Sequence, residues 1–295
     1  MHADVVAALR CPVCDGALAV DGEPRGPLRC PRRHSFDQAR PGYVQLTARP
    51  LAHPGDSPAM VAARAAFLDA GHYAPIVEAV AIAAAAAYPG AGLLLDVGAG
   101  TGHYTVATLD RVPGAAGLAL DVSKAAARVA ARAHPRLDAV LADAWRRLPL
   151  ADGTVGVLLD VFAPRNSAEF ARVLRADGAL VVVTPAADHL AELVAAAGML
   201  TVDPDKEARL AASLGGFEPV GRRAVRFPMA LSAAEADTLI AMTPSARHRP
   251  PDPEADPDSA TGPEPTWAAP AVVTASVLVT TYVLRSTSSQ PTGSS

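Results

Sequence analysis

Three leucines, Leu93 to Leu95, run directly into Asp96-Val97-Gly98-Ala99-Gly100-Thr101-Gly102, and a helical pattern begins at His103. A short apolar strand that breaks into a glycine-rich turn and then a helix is the opening of a parallel α/β sheet. The glycines let the backbone turn sharply and let a ligand lie against it without meeting a side chain. Alone, the turn is weakly diagnostic, because dinucleotide-binding enzymes use a similar one. Here the spacing is G-x-G-x-G rather than G-x-G-x-x-G, and Asp96 precedes the first glycine by two.

The next segments narrow the reading. Residues 118–120 form a second strand closed by Asp121, whose carboxylate can accept both hydroxyls of an adenosine ribose. Residues 137–141 form a third, and Asp143 just beyond it can meet an adenine amino group. Segments 155–161 and 178–184 read as the fourth and fifth strands, with a helix over 166–174 between them. Each acid alone could as well cap a helix or stand in a solvated loop. Three at successive strand ends beside a glycine loop point to a ligand, because open parallel sheets bind at the carboxyl ends of their strands. This order resembles the plan of class I S-adenosylmethionine (SAM) methyltransferases. The resemblance implies a Rossmann-like α/β sheet with SAM as cofactor, held around Asp96, Gly98, Gly100, Thr101, Gly102, Asp121 and Asp143.

All three cysteines lie near the start, as Cys11-Pro-Val-Cys14 and Cys30-Pro-Arg-Arg-His34. An odd number argues against a disulfide framework, and two closely spaced pairs of soft or borderline ligands suit tetrahedral zinc. Asp21-Gly22 and Gly26-Pro27 can turn the intervening chain as a hairpin and bring the pairs together. Four protein ligands leave no open position for water, so the metal is structural, one per chain. A piece of about 40 residues cannot build a core unaided, and the zinc supplies the folding free energy.

Charge is uneven along the chain. The 295 residues carry a formal net charge of −4, which excludes a uniformly basic nucleic-acid coat. Between Arg25 and Arg49, however, six arginines face one acid, Asp37, for a local +5. This is either a solvated face or a phosphate-contacting patch. Arg32 and Arg33, inside the metal knuckle, are the candidate RNA contacts. Phe36 and Tyr43 could stack on bases or form the small core of the module.

Half of the chain is hydrophobic, enough for a full core, which excludes wholesale disorder. The longest apolar runs, 79–87 and 271–283, fall short of the roughly 18–20 residues of a membrane span. The first ten residues hold Asp4 and Arg10 and no apolar run before a cleavage site. The expectation is a cytoplasmic protein with no membrane partner. The organisation expected is a zinc-binding RNA-recognition module over 1–47, a Pro/Gly linker over 48–58 and a methyltransferase domain over 59–295. Helices are expected over 59–69, 75–88, 188–196, 205–214 and 232–241. Strands are expected over 218–227 and 272–284, the latter at the antiparallel edge. The proline-rich, acidic stretch 244–267 reads as a mobile excursion, and 286–295 as a frayed tail.

Further strings join this pattern: Phe36-Asp37, Gly42-Tyr43-Val44, residues 62–73 (AARAAFLDAGHY), Leu120-Asp121-Val122-Ser123-Lys124, Ala163-Pro164, Thr184-Pro185 and Asp188-His189-Leu190. Over most of 5–200 the chain resembles the 23S ribosomal RNA guanine-N(1) methyltransferases. Residues 162–166 and 188–193 are most similar to the actinomycete branch, whose members protect producers from tylosin- or mycinamicin-type macrolides. The resemblance implies methylation of a guanine in the domain II hairpin at the peptide exit tunnel, with 23S rRNA or the large ribosomal subunit as partner. It places Cys11, Cys14, Cys30 and His34 on zinc-ligand positions. It places Tyr73, Gly100, Thr101 and His189 on cofactor-contacting positions; Thr101 stands where the family often has an acid. A hairpin clamped by two zinc modules would suit a homodimer.

Ring nitrogen 1 of guanine carries a proton, so an enzyme must align the base with the sulfonium methyl and help remove that proton. The turn from Asp160 to Pro164 sits where adenine methyltransferases carry their Asn/Asp-Pro-Pro-aromatic motif. Phe162 is the candidate to stack on the guanine, and Asp160 is either a proton acceptor or a strand-end cap or salt-bridge partner. Two rival readings remain: a SAM methyltransferase of a small molecule such as an antibiotic or quinone, and a non-catalytic zinc-ribbon RNA-binding protein. The first leaves the basic zinc module without a use. The second leaves the intact Gly98-Gly100-Gly102 loop and Asp121 unexplained.

Overall fold

The computed structural model describes residues 1–23, 25–51, 55–197, 213–243 and 272–285. At the N-terminus, α1 (Ala3–Ala8) leads into a three-stranded antiparallel ribbon, β1 (Ala19–Val20), β2 (Leu28–Arg29) and β3 (Ser35–Phe36). The expected hairpin is the pairing of Ala19 with Arg29 and Val20 with Leu28. Next comes β4 (Val44–Gln45), then α2 (Pro58–Asp69) and α3 (Ala74–Ala87). Ser57 caps α2 by accepting the Met60 N–H, and Pro58 fills a first-turn position where no N–H is needed.

The alternating core follows: β5 (Leu93–Val97), α4 (His103–Arg111), β6 (Gly117–Asp121), α5 (Lys124–Ala130), β7 (Leu137–Leu141), β8 (Val155–Val161), α6 (Ser167–Val173) and β9 (Leu174–Pro185). Then come α7 (Ala191–Ala197), β10 (Phe217–Ala230), α8 (Ala233–Ala241) and β11 (Val272–Leu284). Helix α8 opens on a complete capping box between Ser232 and Glu235. Every residue of β5 and β8 is buried, as expected of parallel strands covered on both faces.

One sheet of eight strands runs in the order β10-β11-β9-β8-β5-β6-β7-β4. β11 is antiparallel to β9, as expected, but it is not the edge: β10 pairs outside it from Phe217↔Leu284 to Ala230↔Val272. The reason lies in side-chain chemistry. β11 is largely buried, whereas β10 carries Arg222, Arg223 and Arg226 and is mostly exposed. A charged strand belongs at the edge.

The N-terminal module is built onto this sheet, which revises the picture of a ribbon on a free linker. β4 is the opposite edge strand, parallel to β7 through Val44↔Val140 and Gln45↔Leu141. One face of the sheet is covered by α2 to α5 and α8, and α6 lies on the other. The 142–154 connection from β7 to β8 contains no helix. Val5, Leu9, Leu28, Cys11 and Cys30 fill the place such a helix would take, in one cluster with Leu148, Leu150 and Leu158. Leu9 bridges Leu150, the Arg10 N–H donates to the Pro149 carbonyl, and the Ala151 N–H donates to that of Ala8. Residues 55–57 of the expected linker are also held: the Ser123 hydroxyl donates to the Asp56 carbonyl at 2.6 Å. Among the described residues no single helix is long and apolar enough to cross a membrane. The acidic stretch 244–267, the tail 286–295 and most of the expected helix over 205–214 lie outside the described residues.

Candidate zinc centre and cofactor pocket

The four expected metal ligands converge. Cys11 Sγ and Cys30 Sγ lie 3.5 Å and 3.4 Å from His34 Nδ1, and Cys14 Sγ lies 3.6 Å from Cys30 Sγ. All four ligand atoms are within 4.8 Å of one another. Tetrahedral bonds of about 2.0–2.3 Å give edges of roughly 3.5–3.8 Å, so the donor set fits zinc in type, number and spacing. Two knuckles make this possible. After Cys14 the chain turns through Asp15 at φ 60°, with the Asp15 N–H donating to the Cys11 carbonyl. After Cys30 it turns through Arg33 at φ 66°, whose N–H donates to the Cys30 carbonyl. Arg29 is paired with Asp21. Arg32 and Arg33 are exposed and make no ion pair among the described residues.

At the carboxyl ends of β5 and β8 lies a pocket lined by the glycine loop, Arg64, Tyr73 and Phe162. Gly98 (φ 72°) and Gly100 (φ 55°) form its floor in the left-handed region, where a side chain is strained. A Cβ on Gly98 would stand 2.7 Å from Ala163 Cβ, and one on Gly100 3.1 Å from Arg64 Cδ. Asp96 and Thr101 line the pocket, and Gly102 caps α4 beside it. Asp96 is buried and accepts a 2.5 Å hydrogen bond from Thr105. Burial pushes its carboxyl up to about 7, against the Thr105 bond, and the nearby Asp121 adds to the rise. Asp121 accepts the Gly100 and Ser123 N–H groups at 2.8 and 2.7 Å. Asp143, at the end of β7, accepts the Trp145 N–H and lies 3.3 Å from Arg146 Nε. Neither Asp121 nor Asp143 lines this pocket; they mark the neighbouring strand ends.

Three rings gather at the pocket mouth. Tyr73 is buried, and burial raises its hydroxyl above the ordinary range, so it stays protonated. His189 lies 6.3 Å from Tyr73 and stacks on Phe162 at 5.9 Å. Its Nδ1 accepts the Ser276 N–H, so the neutral ring carries its proton on Nε2. Phe162 is 40% exposed at φ 55°, a left-handed conformation that a bulky residue rarely adopts.

Asp160 occupies a different level from the one expected. It is 0% exposed, neither oxygen has a close hydrogen-bond partner among the described residues beyond the nearby Ala163 backbone, and Val161 and Phe162, not Asp160, line the pocket. Burial pushes its carboxyl up to about 7, and the Arg165 guanidinium, Nε 3.5 Å away, opposes that rise. A buried carboxyl off the pocket lining does not touch a base held in the pocket.

Two residues escaped the sequence reading. Arg64 lies on the glycine loop, and in sequence it looked like an ordinary helical charge; its isolation in an alanine-rich helix was the available signal. Trp145 is 59% exposed just past β7, beside Arg146 and Arg147, and Arg147 pairs with Asp15 of the metal knuckle. A lone tryptophan next to two arginines was the sign there.

Comparison with known proteins agrees with both halves of this site. Residues 9–48 match a family model described as "RlmA, N-terminal", and residues 94–178 match one described as "Methyltransferase domain". A Micromonospora griseorubida relative named a 23S rRNA (guanine-N(1))-methyltransferase is 51% identical over 96% of this chain and 99% of its own length. The Streptomyces fradiae 23S rRNA (guanine(748)-N(1))-methyltransferase is 48% identical over 85% of this chain and 90% of its own. A Bacillus subtilis relative of the same naming is 34% identical over 62% of the chain and 66% of its own. With the metal ribbon, the glycine-loop pocket and near full-length identity at this level, the chain belongs to the 23S rRNA guanine-N(1) methyltransferase family.

Proposed function

We propose that the protein methylates ring nitrogen 1 of a guanine in a 23S rRNA hairpin near the peptide exit tunnel. In the cytoplasm of its host it would thereby protect the ribosome from macrolides. One observation carries the reading: the zinc ribbon is packed onto the sheet that carries the glycine-loop pocket, and β4, the strand that follows it, pairs with β7 of that sheet, which a small-molecule methyltransferase would not need. SAM, when bound, supplies an electrophilic methyl group. Every other contribution comes from the chain.

Gly98 and Gly100 line the pocket with bare backbone, because Ala163 and Arg64 crowd the points where their Cβ atoms would stand, and a cofactor would lie against that backbone. Asp121, now satisfied by two backbone N–H groups, would take the ribose hydroxyls. Asp143 would face the adenine edge. Tyr73 and Thr101 border the methionyl end, and the protonated Tyr73 hydroxyl is a donor there. Phe162 offers its face to an unstacked guanine, and His189 braces that ring from behind. Asp160, with Arg165, is a positioning residue for the turn that presents Phe162. Arg32 and Arg33 would neutralise phosphates of the hairpin, and the exposed Trp145 offers a stacking surface.

The test supplies labelled SAM with total 23S rRNA in one arm and a small-molecule extract in the other. Label in the rRNA, with one reverse-transcription stop at a guanine, is expected. Label only in the extract, or cofactor binding without transfer to either, would overturn the reading.

A further inference from the structure

A methionyl group ends in a carboxylate, and a carboxylate taken out of water needs a cation or several donors. The charges around this pocket are mostly of the wrong sign. Asp96 lines it and Asp121 stands at its edge. His103 also lines it, but burial lowers its pKa against the pull of Asp69, so the ring is neutral near pH 7. Among the described residues that line the pocket, Arg64 is the one arginine or lysine.

Its placement is specific. Arg64 reaches from the middle of α2 across Gly100, with Cδ at 3.1 Å and Nε at 3.5 Å from where a Cβ on that glycine would stand. Among the described residues, both of its hydrogen bonds run from Nη2, to Asp56 Oδ2 at 2.7 Å and to the Met242 carbonyl at 2.9 Å. Nε is buried and has no partner among them. Nη2 shares the guanidinium edge with Nε and already donates to Asp56 and Met242, so a carboxylate here would take the single free Nε–H and the guanidinium charge. That unsatisfied donor lies against Gly100 of the glycine loop.

We propose that Arg64 is the cation that receives the α-carboxylate of the cofactor's methionyl group. The proposal rests on the SAM reading of the pocket, and it gives α2 a part in cofactor selection. The alternative role, a clasp that only ties Asp56 to Met242, predicts a different pattern of binding.

Calorimetry on the full chain separates the two, using S-adenosylhomocysteine and 5′-methylthioadenosine, which shares the nucleoside thioether but has no carboxylate. Wild-type protein should bind S-adenosylhomocysteine at least tenfold more tightly. In Arg64→Met that affinity should fall tenfold or more, while the affinity for 5′-methylthioadenosine stays within twofold. Arg64→Gln reads the same way should the methionine variant not fold. Asp56→Ala, which breaks the clasp from its other end, should leave the ratio of the two affinities unchanged. Equal loss for both ligands in the Arg64 variant, no loss for either, or a narrowed ratio in Asp56→Ala would overturn the proposal. A folded wild-type protein that binds neither compound would instead overturn the cofactor reading, and the proposal with it.

Discussion

The Phe162 ring stacks on that of His189 at 5.9 Å and 24°, on a backbone held at φ 55°. A left-handed phenylalanine costs about 1 kcal/mol or more, and a strained, half-exposed aromatic at a pocket mouth is the arrangement expected of a group that must meet a ligand. Phe162→Ala should lower methylation tenfold or more through the RNA terms, with SAM affinity within twofold of wild type. Phe162→Gly should be more stable than Phe162→Ala by about 1 kcal/mol, because glycine accepts the left-handed backbone. Denaturant melts of the two variants check this, and equal midpoints would remove the strain argument.

Zinc should hold more than the ribbon. Cys11 and Cys30 share a hydrophobic cluster with Leu148, Leu150 and Leu158 of the main sheet. Metal analysis should return about one zinc per chain. Cys30→Ser, or stripping with a chelator, should lower the single melting transition by about 5 °C or more, a loss of roughly 2 kcal/mol for a domain of this size. Two separate transitions, with the later one unmoved, would show that the ribbon unfolds alone.

The Asp160 contribution to stability should fall as pH rises from about 4 to about 7. In the folded protein the Asp160 carboxyl is pushed up to about 7 by burial, against its Arg165 neighbour, while in the unfolded chain it titrates near 3.8. Between those values the folded state keeps a proton the unfolded state has lost, so this contribution is fully present below the lower value and is lost on going up. Each such group contributes a slope of at most about 1.4 kcal/mol per pH unit. Asp160→Asn should flatten the dependence of unfolding free energy on pH in this window relative to wild type. Parallel curves would mean the carboxyl is ionised throughout.

RNA contact should be separable from cofactor contact. Changing Arg32 and Arg33 together to Ala should weaken hairpin binding and reduce the slope of log affinity against log salt by roughly 0.7–0.9 per lost phosphate contact. SAM affinity should not change, because both side chains are exposed on the ribbon and neither lines the pocket. Binding with the wild-type slope would leave the pair as a solvated face and move the search to Trp145 and Arg146.

Local chemistry was readable in the sequence, and long-range placement was not. The Cys11/Cys14/Cys30/His34 spacing specifies its centre because the knuckles are closed by neighbouring backbone groups. The glycine loop is equally local. β4 is two residues long, too short for any periodicity, and its partner Val140 is remote in sequence. The inversion of β10 and β11 was half legible, since three arginines in β10 already speak for an edge. The level of Asp160 could not be read at all, because strand-end position does not tell which side of a pocket wall a carboxyl lies on. Arg64 and Trp145 carry no motif, and only their neighbours in space give them meaning.

The edge pairing of Val44 with Val140 also orders events during synthesis. The ribbon leaves the ribosome first and can take up its metal as soon as His34 is out. Its own strand then has nothing to pair with until β7 has emerged, and the loop to be closed spans all of α2 to α5. For that interval the nascent chain would display a finished, arginine-rich metal knuckle beside an unpaired β4 and the uncovered leucines Leu9 and Leu28. Zinc supply is therefore expected to set the yield of folded enzyme in growing cells more strongly than it sets the stability of enzyme already made.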